Sequence, residues 1–198
     1  MSKYVLAQEQ TFDALLKQIE STRDPLHQAM LRNYMRHMSM EISGRWSEFV
    51  DDHDRMMAEH PLYHVRLGTP DTVEFKGIAG VKEFYSTIDG AVWMLQKQQT
   101  AVADWGLAAE IFNTQLLNGS DILAAGMDIG IEIDDPDAVY VLEDIKIAMF
   151  WPYDDKARLM GEDVYQLEPP RRVAKCAPED VATKQDIERS LQRFFTAY

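Results

Sequence analysis

The fold of this chain is decided by residues 139–167, VYVLEDIKIAMFWPYDDKARLMGEDVYQL. Two runs rich in β-branched and aromatic residues, 139–151 and 158–167, lie on either side of the polar connection DDKA. Side chains of these types favour strands, and a short polar connection lets two neighbouring strands pair antiparallel. This stretch therefore predicts the final hairpin of an antiparallel sheet.

The sheet is predicted to continue upstream of that hairpin. Residues 105–117 and 121–133 indicate two more long strands, and Asn118-Gly119 between them is a hairpin-turn signal. Four consecutive antiparallel strands imply a curved meander. Pro169-Pro170 closes the predicted sheet, because proline cannot donate to a strand ladder.

Shorter elements precede the meander. Residues 57–67 and 72–76 predict two short strands that meet at the turn Thr69-Pro70-Asp71. Apolar residues at helical spacing predict the other elements, which are helices at 9–21, 26–43, 45–52 and 81–90 and a C-terminal helix that opens at Pro178. The order is helices, two strands, helix, four strands, helix. The fold class is therefore α+β, with helices covering one face of an antiparallel sheet.

Composition and charge disfavour several classes of function. The 198 residues carry 20 Lys and Arg against 33 Asp and Glu, a formal charge of −13. This charge argues against nucleic acid and anionic membranes as partners, since both attract positively charged proteins. No apolar run approaches the ~20 residues that span a bilayer, and the N-terminus lacks the features of a signal peptide. Because Cys176 is the only cysteine, we expect no disulfide framework and a reducing, cytoplasmic location.

Four local strings occur in a characteristic order, which is RNYMRHMSMEISGRW (32–46), EHPLYHV (59–65), FKGIAGVKEFY (75–85) and FWPYDDKARLMGEDVY (150–165). Together they resemble the nuclear-transport-factor-2-like cone fold, and within it the SnoaL-like polyketide cyclases and the ketosteroid isomerases. The resemblance implies a cone-shaped, curved antiparallel sheet wrapped around N-terminal helices. It covers residues 26–168 as a SnoaL-like cone domain, so 1–25 and 169–198 are predicted to be helical extensions.

The same resemblance implies an activity. Enzymes of this fold move protons in an apolar cone cavity, usually without a metal ion or organic cofactor, and we expect neither here. The reactions implied are isomerisation, dehydration, aldol closure, epoxide opening, and lyase chemistry such as loss of formaldehyde from lignin-derived aromatic diols. Other proteins of the fold only bind or assemble. The outer face of such a sheet commonly pairs with a second copy, so we expect a homodimer or a higher homo-oligomer.

His60 is the predicted general base. In ketosteroid isomerases the residue before the proline of this strand is a carboxylate base, and His60 matches that position. An unperturbed histidine pKa of ~6.5 suits a base near neutral pH. His64 lies on the same face of the strand and is predicted to contact substrate. The alternatives are a histidine hydrogen-bonded into the strand end and a zinc site built from both histidines and a nearby Asp; we predict no metal site.

The first long helix is predicted to supply an oxyanion donor. The isomerases place a tyrosine there; counting back from Gly44 aligns His37 with it, while chemical identity favours Tyr34, and the spacing leaves both open. Either side chain could donate to a developing enolate or phenolate oxygen. Tyr85, eight residues after Gly77, matches a tyrosine that supports this donor. The alternative for all three is packing in the core.

The last two strands complete the predicted site. Met149 stands where the isomerases that the chain resembles carry their second, protonated acid, which favours a lyase or dehydratase over an isomerase. Glu162 is predicted to face inward with Val164 and Gln166, where an apolar cone would raise its pKa and make it a general acid; the alternative is a structural hydrogen bond. Because methionine adapts to flat ligands and tryptophan stacks on them, the predicted substrate contacts are His64, Met38, Met149, Trp151 and Trp93.

The sequence therefore predicts a cofactor-independent lyase or dehydratase for a small apolar, aromatic or polycyclic hydroxylated substrate. The alternatives are an isomerase or cyclase of the same fold, and a non-catalytic module for ligand binding or dimerisation. The catalytic hypothesis requires His60 and at least one other candidate to converge on one open cavity. The other candidates are Tyr34, His37, Tyr85 and Glu162.

Overall fold

The computed structural model describes residues 1–195, so residues 196–198 of the predicted C-terminal extension lie outside the described residues. The helices are α1 Lys3–Ser21, α2 Pro25–Ile42, α3 Ser47–Val50, α4 Gly77–Ile88, α5 Gly119–Ala125 and α6 Lys184–Leu191. The strands are β1 Met57–Arg66, β2 Val73–Lys76, β3 Val92–Ala103, β4 Gly106–Asn118, β5 Val139–Pro152, β6 Leu159–Glu168 and β7 Arg172–Lys175. None of the described helices is long and apolar enough to cross a membrane.

The strands form one open sheet in the order β2-β1-β6-β5-β4-β3, and β7 pairs with β5. Strands β1 and β6 run parallel, whereas the other paired strands run antiparallel. Helices α1 and α2 pack against β3, and α4 packs against β1 and β2. The predicted α+β cone, with a curved sheet around N-terminal helices, is confirmed.

Helix α2 carries part of the candidate site, and its limits follow from its sequence. The Asp24 carboxylate accepts hydrogen bonds from the backbone N–H groups of Leu26 and His27, at 2.9 and 3.0 Å. Pro25 fits the first helical turn, where an N–H group would have no intrahelical partner. Gly44, with φ of +75°, lies just after the helix end. The helix is thus fixed at both ends by local sequence.

The region between residues 92 and 133 differs from the prediction. Residues 121–133 contain the end of α5 and an irregular segment, so the strand predicted there is wrong, and the fourth strand of the meander is β3. Asn118 has φ of −72°, whereas the hairpin turn that Asn-Gly favours needs positive φ. Asn118-Gly119 therefore starts a helix. Strand β3 was not predicted, because the polar run QKQQ at 96–99 breaks the apolar alternation that indicates a strand.

The sheet does not end at Pro169-Pro170, where the sequence predicts its last strand to stop. After these prolines the chain returns as β7 and pairs with residues 140–143 of β5. Proline prevents a strand from continuing but does not prevent a new strand from starting a few residues later. The sheet therefore has one strand more than the sequence predicted at this end.

One apolar core joins both terminal segments to the sheet. Phe12 and Leu15 of α1 and Ile187 and Leu191 of α6 belong to the same buried cluster as the inner strand residues. The rings of Phe12 and Phe194 lie 5.2 Å apart. The division into a cone domain with two extensions stays a prediction, but both extensions contribute buried side chains to the common core.

Candidate active site

A cavity of about 110 Å³ lies between helices α2 and α4 and the inner face of strands β3 to β6. Its wall is mostly apolar, and the polar residues that line it are Glu41, Asn113, Gln115, Glu162 and Gln166. A larger cleft of about 470 Å³ lies beside α6, but its charged residues, such as Glu179 and Arg189, are exposed. Ligand sites typically combine an apolar wall with a few placed polar groups. The smaller cavity is therefore the candidate active site.

Alternation along three strands builds the cavity wall. Every second residue of a strand faces the same side, so the inward residues are Ile111, Asn113 and Gln115 of β4, Ile145, Ile147 and Met149 of β5, and Glu162, Val164 and Gln166 of β6. The inward orientation predicted for the three β6 residues is confirmed. Met149 and Trp93 lie in the wall, where they could contact a substrate.

Two carboxyl groups from different elements meet at this cavity. Glu162 is 3% exposed, and its Oε2 has no hydrogen-bond partner among residues 1–195. The side chain of Glu41 on α2 is 10% exposed. Burial and the nearby Glu41 charge raise the pKa of Glu162 well above its usual range, and the Trp151 indole opposes that rise. Because close carboxylates in an apolar site disfavour ionisation of both, this environment favours the protonated form of Glu162.

A chain of neutral hydrogen-bonding groups lies behind the carboxyl pair. His37 Nε2 is 2.7 Å from the Tyr85 hydroxyl, which is 3.3 Å from the Tyr63 hydroxyl. His37 Nε2 is also 3.4 Å from Glu41 Oε2, a long contact. Burial lowers the pKa of His37 although Glu41 opposes this, and burial raises the pKa values of Tyr63 and Tyr85. All three side chains therefore stay uncharged near neutral pH.

Tyr34 and His37, the two alternatives for an oxyanion donor, both point into the core from α2. The Tyr34 hydroxyl donates to Gln98 Oε1 at 3.0 Å, and its ring packs edge-on against Trp151 at 4.8 Å. Neither side chain lines the cavity, and the same holds for Tyr85. His37 is the one that reaches the carboxyl pair, through Glu41. Their catalytic roles stay predictions.

Met38 and Trp151 are fully buried and do not line the cavity. Trp151 instead packs 4.4 Å from the His37 ring. The Trp151 ring also packs edge-on against Tyr34, so it lies among the side chains behind the cavity. The substrate contacts predicted for these two residues are not seen in this arrangement.

The placement expected for His60 and His64 is not what the structure shows. The buried residues of β1 alternate as Pro61, Tyr63 and Val65, which puts both histidines on the opposite, outer face. His60 is exposed, and His64 Nδ1 lies 2.7 Å from Asp163 Oδ1. Because the side-chain period of a strand is two, a shift of one residue moves a side chain to the other face. His60 therefore does not converge with the other candidates.

Sequence reasoning missed Glu41 and Tyr63. Glu41 lies four residues after His37, on a face of α2 that also carries Met30, Tyr34 and Met38, and a carboxylate on such a face was the available signal. Tyr63 pairs with Glu162 in the parallel β1–β6 register. Apolar residues alternate at positions 61, 63 and 65, and this alternation could have placed Tyr63 on the inward face of β1.

His37, Glu41 and Glu162 could together hold a metal ion. One ligand atom each from His37, Glu41 and Glu162 lies within 4.8 Å of the others, and a histidine with two carboxylates suits several divalent cations. However, His37 Nε2 already forms the hydrogen bond to Tyr85. A cation at that nitrogen would have to displace the tyrosine, whereas a shared proton requires no rearrangement.

Comparison with solved structures supports the fold. A protein from Xanthomonas campestris pv. campestris assigned as a polyketide cyclase is 15% identical, with a TM-score of 0.51 over 71% of this chain and 91% of its own. A protein from Jannaschia sp. CCS1 assigned as a SnoaL-like polyketide cyclase is 11% identical, with a TM-score of 0.48 over 74% and 91% of the two chains. The epoxide hydrolase/cyclase-like enzyme SalBIII is 11% identical, with a TM-score of 0.43 over 73% and 95%.

No protein-family model matches the sequence, and no curated protein is significantly similar to it. Similarity at these identities concerns the backbone and not the chemistry, because one fold hosts many reactions. The chain has the SnoaL-like, nuclear-transport-factor-2-like fold. Its function has to be argued from its own cavity.

Proposed function

We propose that this chain is a cofactor-independent lyase or dehydratase that acts on a small, hydroxylated, largely apolar aromatic substrate. One observation carries the proposal: Glu41 and Glu162 lie together at an apolar cavity, where burial and the Glu41 charge raise the pKa of Glu162. A protonated carboxyl group can act as a general acid while a neighbouring carboxylate acts as a general base.

Elimination of water uses both carboxyl groups. Glu41 accepts the proton of a substrate C–H bond, the electron pair forms a C=C bond, and the C–O bond breaks. The departing hydroxyl takes the proton of Glu162 and leaves as water. The pair again holds one proton, which returns from Glu41 to Glu162. The His37–Tyr85–Tyr63 chain is uncharged, so it places no positive charge beside the pair. Without such a charge, ionisation of both carboxyl groups is not favoured, and the proton stays within the pair.

The finer proposal is a C–C lyase of aromatic 1,3-diols, including lignin-derived ones. Here Glu41 takes the proton of the hydroxymethyl O–H group, and the C–C bond breaks to release formaldehyde. The electron pair forms a C=C bond, and the benzylic hydroxyl leaves as water with the proton of Glu162. Atoms and charges balance without an oxidant, a reductant or a metal ion.

The size of the cavity bears on the substrate. A volume of about 110 Å³ is below that of a ~150 Å³ cavity that accommodates benzene in another protein. One aromatic ring therefore already requires the wall to give, and a fused polycyclic system would require it to open much further. We propose that the reacting part of the substrate is monocyclic.

The test starts from a panel of aromatic alcohols, ketones and 1,3-diols. Binding is scored by thermal shift, and products are identified by mass spectrometry as loss of water, loss of water with formaldehyde, or no mass change. Glu162→Gln should still bind a converted compound but lose about 10²-fold or more in kcat/KM, the usual worth of a general acid. Glu168→Gln, an exposed carboxylate of the same strand, is the matched control and should retain wild-type activity.

Two further arms separate this proposal from its alternatives. His60→Ala should retain activity, since His60 faces away from the cavity, and a chelator should not change the rate, since the proposed proton transfers use only the two carboxyl groups. Products without a mass change would indicate an isomerase or cyclase. Compounds that bind equally to wild type and Glu162→Gln, with no product from either, would contradict catalysis and support a ligand-binding module.

A further inference from the structure

The cavity has a second polar end, opposite the carboxyl pair. Along β6 the inward residues run from Glu162 through Val164 to Gln166, and Val164 pairs with Met149 of β5. Asn113 of β4 pairs with Ile145. Asp163 pairs with Phe150, so Glu162 lies beyond the level of Met149, whereas Asn113 lies on the other side of that level. Asn113 and the carboxyl pair therefore line different ends of the same cavity.

The side chain of Asn113 is buried, and its amide oxygen accepts no hydrogen bond from the described residues. Its side chain is part of the cavity wall, the residue is 4% exposed, and Oδ1 has no hydrogen-bond partner in the described part of the chain. Ile111 and Ile145 beside it offer no polar atoms, and the nearest lining amide along β4 is that of Gln115. A buried amide oxygen without a partner is unfavourable, and a bound ligand is one of the explanations for such a group.

We propose that Asn113 forms a second binding subsite, which hydrogen-bonds a hydroxyl group at the far end of the substrate. This inference rests on the proposed function only in taking the cavity as the substrate site. A hydroxyl both donates and accepts, so it satisfies the amide whichever way its oxygen and nitrogen are oriented. The lining amides nearest this end, Gln115 and Gln166, are uncharged, which suits a neutral hydroxyl rather than an ionised group.

The subsite defines a class of substrate. Such a substrate carries one oxygen at the carboxyl end, an apolar ring against the isoleucine wall, and a phenolic or alcoholic hydroxyl at the Asn113 end. A site built to hydrogen-bond a hydroxyl discriminates strongly against an analogue without it, because the buried polar group is then left unpaired. Methylation of that hydroxyl should therefore weaken binding although the molecule becomes more apolar.

The probes are 4-(3-hydroxypropyl)phenol and its methyl ether, 3-(4-methoxyphenyl)propan-1-ol. Dissociation constants are measured by calorimetry for wild type, Asn113→Leu, Asn113→Ala and Gln99→Leu. Wild type should bind the phenol about 10-fold or more tighter than the ether. Both Asn113 variants should reduce that ratio to about 2 or less, mainly through weaker binding of the phenol. Gln99→Leu, an exposed amide on β3, should keep the wild-type ratio.

Equal affinity of wild type for the two probes would overturn the subsite, and so would an undiminished preference in Asn113→Ala. The same titrations on Glu162→Gln keep the two proposals apart. A phenol preference without turnover of any compound contradicts the enzymatic function alone. Turnover that depends on Glu162 without a phenol preference contradicts the Asn113 subsite alone.

Discussion

Glu162 owes its chemistry to its neighbours and not to its residue type. In the sequence it is one of 33 acidic residues, and Asp163 beside it points to the outer face and pairs with His64. Glu162 instead faces an apolar wall, Glu41 and the Trp151 indole. Its environment keeps it protonated, as buried carboxyl groups near like charge generally are.

A stability measurement tests this protonation directly. The pKa of Glu162 is higher in the folded than in the unfolded chain, so the folded state binds more protons above the ordinary glutamate pKa of ~4.3. Wild-type stability therefore falls as pH rises through this window, whereas Gln cannot ionise. The Tm of Glu162→Gln relative to wild type should rise between pH 5 and pH 8, by about 2–4 °C for each kcal/mol of proton linkage.

Glu59→Gln removes an exposed carboxylate of β1 and serves as the control. Its Tm should follow that of wild type across the same pH range. A constant Tm difference between Glu162→Gln and wild type from pH 5 to pH 8 would show that Glu162 is not held protonated by the fold, and the acid role would lose its basis.

At the scale of elements, the parallel pairing of β1 with β6 positions Glu162. Gly161 pairs with Leu62 and Glu162 with Tyr63. A Cβ atom on Gly161 would lie 2.0 Å from the Leu62 carbonyl oxygen, so the two backbones approach too closely for any other residue. This contact sets the register that turns Glu162 inward.

Gly161→Ala should therefore disturb both stability and the site. Because the clash is with backbone, the strands have to separate, and we expect a loss of about 1–3 kcal/mol, seen as a lower Tm. Activity should also fall, since Glu162 moves with the strand. Met160→Ala changes an exposed side chain beside it and should leave both values near wild type. Wild-type Tm and activity in Gly161→Ala would mean that the close approach is not required.

Elements differ in how well local sequence specifies them. Helix α2 and strands β5 and β6 were predicted nearly to the residue, because capping residues, glycines and apolar periodicity mark them. Strand β3 was missed because its amide-rich middle lacks an apolar pattern, although β4 pairs with it along nearly its whole length. Pairing with β4 and packing of α1 and α2 hold this strand in place, and its own polar pattern shows neither.

At the scale of the whole molecule, helix α1 belongs to the core although it precedes the predicted cone domain. Removal of residues 1–22 would expose the partners of Phe12, Leu15 and Ile19, all of which are buried. We expect the truncated chain to lose cooperative unfolding or to unfold at a much lower temperature, measured by circular dichroism. Deletion of Met1 alone, which is exposed, is the control. A truncated chain as stable as the full one would support an independent cone domain.

The oligomeric state is a second prediction at this scale. Leu62 and Phe150 are 38% and 42% exposed on the outer face of neighbouring parts of the sheet. We expect a homodimer through this face, measured as mass by light scattering after gel filtration. Phe150→Ser should shift the mass toward a monomer, whereas Trp105→Ser, an exposed residue outside the strands, should not. A monomeric wild type at all concentrations would contradict this expectation.

The sequence by itself determined the α+β class, the limits of most elements, and the inward direction of Glu162, Val164 and Gln166. Capping, turns and periodicity act within a few residues, so they are legible without a structure. Only the tertiary structure decided which residues share the cavity. It placed Glu41 near Glu162, put His60 on the outer face, and left Asn113 Oδ1 buried without a hydrogen-bond partner among residues 1–195. These facts depend on strand register and on helix packing over more than a hundred residues, which no local pattern encodes.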